Sequence, residues 1–437
     1  MQVKQALRVC APNKVVFDSP CKTLAEIEFA LRHGVTINAD SYAEVKKIDT
    51  ALKTLARERA QSTSSIGLRV NPMVGAGAIA ALSTATGTSK FGVPSSYADQ
   101  DSSSVLREGI TDLREQVIQT FLEYPFLTGI MCHVGSQGMA VELMVQGALH
   151  ILQLADEIDS RLAAAHSDRR ITYVDIGGGL SANYNSDEVV YTFAEYASKL
   201  AAACGDILRR APHRRIVTEF GKAIITKSGV IATRVEEAAE QEALRSSVAV
   251  AGASAAASND VPKKNITAVV HAGADLLLRT AYCPDKFPHR IVLLDAHKQL
   301  LQASSDLPHA NKSDVWSLSP SPVRPLANVT IAGPLCFSGD VLGRNLPLPE
   351  PRAGDICLLL DAGANTLSLF SRHCSRLSPA VFAFRKVPVV VPAIGTGEMQ
   401  VKETRDTKVG ADESGEVYLV ACIRERENEA ELLKFWG

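Results

Sequence analysis

The sequence predicts an α/β fold in which a βα barrel is followed by a mostly β domain. From residue 14 to 225, six short runs rich in β-branched residues alternate with longer helical patterns, which is typical of successive parallel βα units. Beyond residue 225 the apolar runs are short and no long helical pattern separates them, which is typical of a β domain. We therefore predict a barrel at residues 1–225 and a β domain at 226–437, with a low-complexity insertion at about 242–262.

The six predicted barrel strands share one property, which is that each stops at polar residues or glycine. They cover residues 14–18, 36–40, 66–71, 128–133, 171–176 and 215–219. The helical patterns between them cover residues 23–32, 42–59, 105–123, 141–165 and 190–204. In a barrel, the carboxyl ends of the strands converge on the face that carries the active site. Ordinary βα turns also favour Asp, Asn, Ser and Gly, but six such turns together indicate a site.

The second half of the chain is predicted to be mostly β, with an exposed helix at residues 427–434. Its apolar runs cover residues 266–272, 290–294, 329–331, 356–360, 381–384, 387–391 and 417–422. A length of 437 residues is compatible with two or three domains in total.

Composition argues against several classes of protein. The formal net charge is -2, with 46 Lys+Arg against 48 Asp+Glu, so a nucleic acid or an anionic membrane is not an expected partner. No apolar run reaches the roughly 18 residues of a membrane span, and the first residues do not form a signal peptide, so we expect a cytoplasmic protein. Nine cysteines occur without a CxxC pair, which predicts free thiols and no metal site.

Three features of the predicted barrel face point to one cofactor. Gly177, Gly178 and Gly179 directly follow a strand, and such a turn can offer backbone N–H groups to a phosphate. His133 ends the preceding strand, and Glu219 ends the next one. A phosphate loop, an imidazole and a carboxylate suit pyridoxal phosphate, whose ring nitrogen needs an acidic partner.

Each of these three features also has a purely structural interpretation. The glycines could form a tight βα turn, and His133 could be a structural residue at a strand end. Glu219 could be a buried charge paired with Lys or Arg.

Beyond single residues, several motifs resemble the ornithine/diaminopimelate/arginine decarboxylase family, and most closely its diaminopimelate-decarboxylase-like branch. The matching segments, in family order, are residues 17–44, 69–72, 90–92, 133–137, 175–179, 219–222 and 333–340. The resemblance implies an alanine-racemase-like βα barrel that binds pyridoxal 5′-phosphate and precedes a β domain. It also implies a small amino-acid substrate and a homodimer with shared active sites.

The resemblance assigns roles to individual residues. Cofactor contacts are implied for His133, Ser136, Gly177, Gly178, Gly179, Glu219, Gly221, Lys222 and Asn365. His133 would stack on the ring, where it belongs to the catalytic set, and Glu219 would pair with the pyridine nitrogen. Cys336 would be a catalytic proton donor, while Arg279 and Asp340 would contact substrate; Cys336 and Asp340 would come from the partner subunit.

The chain departs from the family in ways that predict weak catalysis. The lysine that holds the cofactor, on the first barrel strand of the family, has no counterpart here, and only six of the eight βα units are visible. We therefore expect an N-terminally truncated form with impaired catalysis, or alternatively a non-catalytic paralogue that dimerises with or regulates an active decarboxylase. Phe337 stands where the family has an acidic residue that reads a distal amine. Lys222 replaces an arginine, and Asn365 replaces a tyrosine.

Overall fold

A computed structural model of the protein describes residues 2–96, 112–240, 264–303, 322–387, 407–411 and 417–437. The chain divides into two compact units, one up to Gly229 and one from Val230 onwards. The predicted insertion at 242–262 lies outside the described residues, as do parts of the patterns predicted at 105–123 and 387–391.

The first unit is built on one parallel sheet of seven strands. Its strands are β1 (Val16–Asp18), β2 (Thr36–Ala39), β3 (Ile66–Asn71), β4 (Val93–Pro94), β5 (Leu127–Met131), β6 (Tyr173–Asp175) and β7 (Arg215–Val217). The order is β1-β2-β3-β5-β6-β7, and the short β4 pairs with β3. All six predicted barrel strands are present, each within two residues of its predicted bounds, so the prediction of parallel βα units is confirmed.

Helices connect these strands. They are α1 (Gln2–Ala6), α2 (Leu24–Arg32), α3 (Tyr42–Arg57), α4 (Leu113–Glu123), α5 (Val141–Ala164), α6 (Phe193–Arg210) and α7 (Gly221–Ile225). Local sequence explains where they begin. Thr23 and Thr192 each form a capping box with a glutamate three residues later, and the Ser41 and Asp112 side chains accept a backbone N–H in the first turn of α3 and α4.

The core of the first unit lies between the sheet and these helices. All six residues of β3 are buried, as expected of a parallel strand covered on both faces. Leu68 belongs to this core, together with Ile27 of α2 and Ile48 of α3, and all three side chains are fully buried.

Across the other face of the sheet lies the ring of Tyr173. An added Cβ at Gly67 would lie 2.3 Å from the Tyr173 hydroxyl oxygen, and one at Gly129 would lie 2.0 Å from a ring carbon. The hydroxyl donates to Asn38 Oδ1 at 2.9 Å. The Tyr173 side chain, which starts on β6, thus extends past Gly129 and Gly67 and hydrogen-bonds to Asn38 on β2.

The second unit is mostly β, as predicted. Its elements are β8 (Ile231–Glu240), β9 (Asn265–Val270), α8 (Leu278–Tyr282), β10 (Ile291–Leu294), β11 (Gln302–Ala303), β12 (Val323–Arg324), β13 (Leu326–Ala332), β14 (Val341–Pro349), β15 (Ile356–Leu359), β16 (Val381–Val387), β17 (Thr407–Ala411), β18 (Val417–Arg424) and α9 (Glu429–Trp436). The sheets have the orders β10-β15-β8-β9-β13-β14, β11-β12 and β16-β18-β17.

Two long strands of the second unit were not predicted. β8 carries three glutamates, and β14 contains Asn345 and two prolines, so neither has the apolar pattern of a strand. In the described part of the sheet, β14 pairs only with β13. Proline is tolerated at such an edge because the missing N–H is not needed by a second neighbour.

Candidate cofactor site at the carboxyl ends of the first sheet

Charged and polar side chains collect at the carboxyl ends of the parallel strands. They belong to every strand of the main sheet path and comprise Asp18, Asp40, Arg69, His133, Asp175 and Glu219. Asp18 and Asp175 are the last residues of their strands, while His133 and Glu219 each follow their strand by two residues. The carboxyl ends of a parallel sheet lie at one edge, so these groups share one region.

Arg69 is the central cation of this region. Its guanidinium donates to Asp18 Oδ2 at 3.0 Å, and its Nη1 lies 3.7 Å from Asp40 Oδ1. The guanidinium also lies over the Phe91 ring, 4.4 Å from the centroid. Burial raises the pKa of Asp40, although the nearby Arg69 acts in the opposite direction. Arg69 therefore provides one positive charge beside two carboxyl groups, those of Asp18 and Asp40.

Asp175 and Glu219 are neighbouring carboxyls, and the charge of Asp175 acts on Glu219. Desolvation raises the pKa of Asp175 to about 6, although Oδ1 accepts the Gly177 N–H at 2.9 Å. Glu219 itself is exposed to solvent. Desolvation by the surrounding protein, followed by the Asp175 charge, nevertheless raises the pKa of Glu219, and Arg69 offsets this only in part. Two carboxyls with raised pKa values favour a cationic neighbour.

His133 presents a neutral ring beside this pair. Its Nδ1 accepts the Gly178 N–H at 3.2 Å, which places the ring proton on Nε2. Burial, together with the positive charges of Arg69 and Lys222, lowers the pKa of His133 to about 4. The imidazole is therefore uncharged at neutral pH, and a hydrogen bond fixes the orientation of its ring.

The glycine turn joins the ends of β6 and β7. The Gly177 and Gly178 amides donate to Asp175 and His133, and Gly177 O accepts the Glu219 N–H at 2.8 Å. An added Cβ at Gly178 would lie 2.2 Å from Glu219 O. Gly177 and Gly179 have φ angles of 68° and 123°, which favour glycine. The turn thus positions His133 and Glu219, and two of its three N–H groups are already bonded within the protein.

Lys222 and Ser136 lie beside this turn. Lys222 Nζ donates to Ser136 O at 3.1 Å. The Ser136 N–H donates to Leu82 O at 3.2 Å, so the loop around Leu82 covers this segment. An added Cβ at Gly221 would meet no atom within 4 Å, which leaves space next to Lys222.

Another lysine near the strand ends has a structural position. Lys22 is 2% exposed. Its Nζ donates to Ser19 O and Asn38 O, each at 2.7 Å, and to Glu44 Oε2 at 3.1 Å. Because its ammonium group donates to three acceptors, Lys22 is not available as a nucleophile.

The remaining predicted site residues lie in the second unit. Asp340 is 3% exposed, and its two carboxylate oxygens accept the N–H groups of Ala274 and Leu335 at 2.6 and 2.8 Å. Cys336 is exposed, the Arg279 guanidinium lies over the Phe287 ring, and Asn365 has a φ of 57°. The structure thus groups His133, Ser136, the glycines, Glu219 and Lys222 in the first unit, and Cys336 with Asp340 on one loop of the second.

Sequence reasoning did not assign a role to Arg69, Asp18, Asp40 or Asp175. A signal was present, because a charged residue such as Arg69 within the apolar run of residues 66–71 needs a buried partner. Among the described residues, no group of His, Cys, Asp or Glu could hold a metal ion. Within the same ranges, none of the helices combines the length and apolarity that crossing a membrane requires.

Comparison with solved structures shows the fold. Diaminopimelate decarboxylase from Helicobacter pylori in complex with L-lysine is similar at a TM-score of 0.65 and 20% identity, over 100% of this chain and 82% of that one. Arginine decarboxylase of Paramecium bursaria Chlorella virus is similar at a TM-score of 0.55 and 17% identity, over 85% of this chain and 77% of that one. Both likenesses agree with a barrel followed by a β domain.

Comparison of sequences gives the family. Diaminopimelate decarboxylase of Neisseria meningitidis serogroup A is 28% identical over 364 residues, which is 83% of this chain and 70% of the relative. The enzyme of the same name from Archaeoglobus fulgidus is 26% identical over 373 residues, again 83% and 70%. Residues 1–226 match the family profile "Pyridoxal-dependent decarboxylase, pyridoxal binding domain". Since this match covers more than half of the chain, the chain belongs to the pyridoxal-dependent decarboxylase family.

Proposed function

We propose that this chain binds pyridoxal 5′-phosphate at the carboxyl ends of the β1–β7 sheet and decarboxylates a small amino acid, with diaminopimelate turned over slowly. The observation that carries the proposal is the placement of His133 and Glu219 on either side of the glycine turn. One is a neutral flat ring, and the other is a carboxyl with a raised pKa.

The charges of the site suit this cofactor. The pKa of Glu219 is raised in spite of the nearby Arg69, whose guanidinium is already paired with Asp18. A protonated ring nitrogen would supply the cationic partner that the Asp175 and Glu219 pair favours. Lys222 and the open space at Gly221 would suit the phosphate. The inventory of residues therefore fits pyridoxal phosphate.

Each residue has a role in this proposal. His133 would pack its neutral ring against the cofactor ring, and the hydrogen bond that it accepts from Gly178 keeps the imidazole in orientation. Glu219 would hold the proton of the ring nitrogen, while Ser136, Lys222 and the glycine turn would hold the phosphate. When bound, the cofactor supplies an electron sink for the charge left by the departing carboxyl group.

We expect a low rate of decarboxylation because of the hydrogen bonds that Lys22 and Lys222 make. A lysine that attaches the cofactor must present a free amine. Lys22 is held by three acceptors, and Lys222 donates to Ser136 O. We therefore propose that the residues of this chain retain the cofactor without a covalent bond to either lysine.

The substrate proposal comes from the loop that carries Cys336. Phe337 on this loop is 40% exposed and offers no charge to a distal amine. Cys336 is proposed as the proton donor, with Arg279 and Asn365 as further site residues. Because both oxygens of Asp340 already accept backbone N–H groups, we propose that Asp340 holds the loop. We also propose a homodimer with shared sites. Sedimentation velocity tests whether the chain is a dimer.

Cofactor retention after gel filtration tests the binding proposal. The wild-type protein should retain pyridoxal phosphate, and Glu219→Gln should weaken binding on the order of tenfold to a hundredfold, because a charge-assisted hydrogen bond is lost. The exposed Glu142, which bonds Lys199, offers the matched control Glu142→Gln, which should bind like wild type. Failure of wild type to retain the cofactor, or equal retention by Glu219→Gln, contradicts the proposal.

Borohydride treatment followed by mass spectrometry tests the absence of covalent attachment, and carbon dioxide release from diaminopimelate tests the rate. No lysine adduct is expected, and turnover should lie well below the roughly 1–10³ per second of ordinary enzymes. An adduct on Lys22 or Lys222, or turnover within that range, contradicts the low-rate part.

The second candidate function is a non-catalytic paralogue that dimerises with or regulates an active decarboxylase. Two observations favour this second function. The Lys22 ammonium group is already hydrogen-bonded within the protein, and Phe337 carries no charge. It predicts that the chain co-purifies with an active decarboxylase homologue and changes its activity. Cofactor retention and measurable turnover by the chain alone would instead favour the first function.

A further inference from the structure

The second unit contains a pair of neighbouring exposed thiols that no role proposed above uses as a pair. Cys336 follows β13, and Cys374 lies in the segment between β15 and β16. The neighbouring Cys374 thiol raises the pKa of Cys336.

Asp340 fixes the loop that carries Cys336. Its carboxylate accepts the Ala274 and Leu335 N–H groups, and its own carbonyl accepts the Gly333 N–H at 2.8 Å. An added Cβ at Gly333 would lie 2.3 Å from Asp340 Oδ2, so the loop and the carboxylate pack tightly. The loop is therefore anchored at both ends.

The segment that carries Cys374 is anchored on the same region. The Ser371 N–H donates to Asp275 O at 3.0 Å. Arg376 Nε donates to Asp275 Oδ2 at 3.4 Å, and Arg376 Nη2 donates to His271 O at 2.6 Å. Residues 271–275 thus hold both cysteine segments, because Ala274 bonds Asp340 while Asp275 and His271 bond the segment of Cys374.

We propose that Cys336 and Cys374 form a reversible disulfide by exchange with a low-molecular-weight disulfide of the glutathione type. The thiolate of one cysteine attacks the oxidised glutathione, forms a mixed disulfide and releases one glutathione thiol. The thiolate of the second cysteine then displaces the remaining glutathione as a second thiol. Two cysteine thiols are oxidised by two electrons, one glutathione disulfide is reduced, and the two protons leave on the two glutathione thiols.

The structure favours closure of this pair over a lasting mixed disulfide. Both thiols are exposed, so the oxidant reaches them, and the second thiol is a neighbour of the first. A disulfide needs its two Cβ atoms about 4 Å apart, and the proposal requires the two anchored segments to reach that separation. If Cys336 is the proton donor of the proposed function, its oxidation removes that proton.

Mass spectrometry of the full chain after incubation with oxidised glutathione tests the pair. On digestion without reductant, wild type should yield a peptide crosslinked between Cys336 and Cys374 that is two hydrogen atoms lighter than the sum of the two free peptides, and dithiothreitol should reverse the crosslink. Cys374→Ser should instead gain the mass of one glutathione on Cys336. Cys422→Ser, which alters a cysteine bonded to Arg424 O, is the matched control and should crosslink like wild type.

A wild-type protein that accumulates a mixed disulfide on Cys336 as Cys374→Ser does, or that shows no crosslink, overturns the proposal. Circular dichroism of each variant confirms folding before oxidation. The crosslink is measured without cofactor or substrate, so its outcome is independent of the proposed function. Crosslinking that leaves turnover unchanged would contradict the role of Cys336 as proton donor while upholding the disulfide.

Discussion

A single hydroxyl connects two strands that are not neighbours in the first sheet. Tyr173 OH donates to Asn38 Oδ1, and both residues are buried. Tyr173→Phe should lower the free energy of unfolding by about 1–2 kcal/mol, because it leaves a buried amide oxygen without this donor. Urea unfolding followed by circular dichroism measures the change.

A matched control is available for this prediction. Tyr282 is 70% exposed, so Tyr282→Phe should change stability by less than about 0.5 kcal/mol. Equal effects of the two substitutions would mean that the Tyr173 hydroxyl does not stabilise the fold.

Glu219 should make stability depend on pH in a direction opposite to that of an ordinary ion-paired carboxylate. Its pKa in the folded state is raised, so the folded state binds more protons than the unfolded state above a pH of about 4.5. Stability contributed by this group is therefore complete below that value and is lost as the pH rises through the raised pKa. Glu219→Gln should reduce the loss of stability between pH 5 and 8, as measured by the urea midpoint.

Glu142→Gln is the control for the pH dependence predicted for Glu219→Gln. Hydrogen bonding to Lys199 lowers the pKa of Glu142, so its carboxyl stays ionised across that pH range. Glu142→Gln should retain the wild-type pH dependence. A Glu219→Gln protein whose stability falls as steeply as that of wild type would contradict the assignment.

At the scale of elements, the glycine turn controls how β6 meets β7. An added methyl at Gly178 would lie 2.2 Å from the carbonyl oxygen of Glu219, whereas one at Gly221 would meet no atom within 4 Å. Gly178→Ala should therefore destabilise the first unit by about 1–3 kcal/mol and displace Glu219, which weakens cofactor retention. Gly221→Ala should leave stability close to that of wild type. Thermal unfolding of both variants distinguishes a steric effect from a general intolerance of alanine in these loops.

The elements of the first unit were predictable because their signals are local. Each strand is a β-branched run with a polar end, and helix starts carry caps such as Thr23 and Ser41. β14 was not predictable, since Asn345 and its prolines are acceptable only in the tertiary context of an edge strand. An apolar pattern reports burial, and a strand with only two buried residues among nine has no such pattern.

The residues of the candidate site were predictable only in part. Motif resemblance indicated His133 and Glu219, and the structure places both beside the glycine turn. It did not indicate that the Gly177 and Gly178 amides bond within the protein, because backbone N–H partners depend on how two loops meet. The coupling of Asp175 to Glu219 is likewise a property of three-dimensional proximity.

At the scale of the whole molecule, each unit has its own hydrophobic core. Leu68 is fully buried in the first core and Leu359 in the second. Leu68→Ala and Leu359→Ala should each cost about 2–5 kcal/mol. Since the two cores are separate, each substitution should lower one of two unfolding transitions and leave the other in place.

Differential scanning calorimetry checks this expectation, and each variant is the control for the other. A single transition that shifts equally in both variants would show that the two cores unfold as one cooperative unit.

The ring of Tyr173 has one more consequence, which concerns how this barrel can evolve. Positions 67, 129 and 173 share a single volume, because the aromatic ring occupies the space that side chains at the two glycines would need. A homologous chain that gains bulk at either glycine position must therefore shrink or relocate its aromatic residue. Substitutions at these three sites should consequently covary among descendants of this sequence.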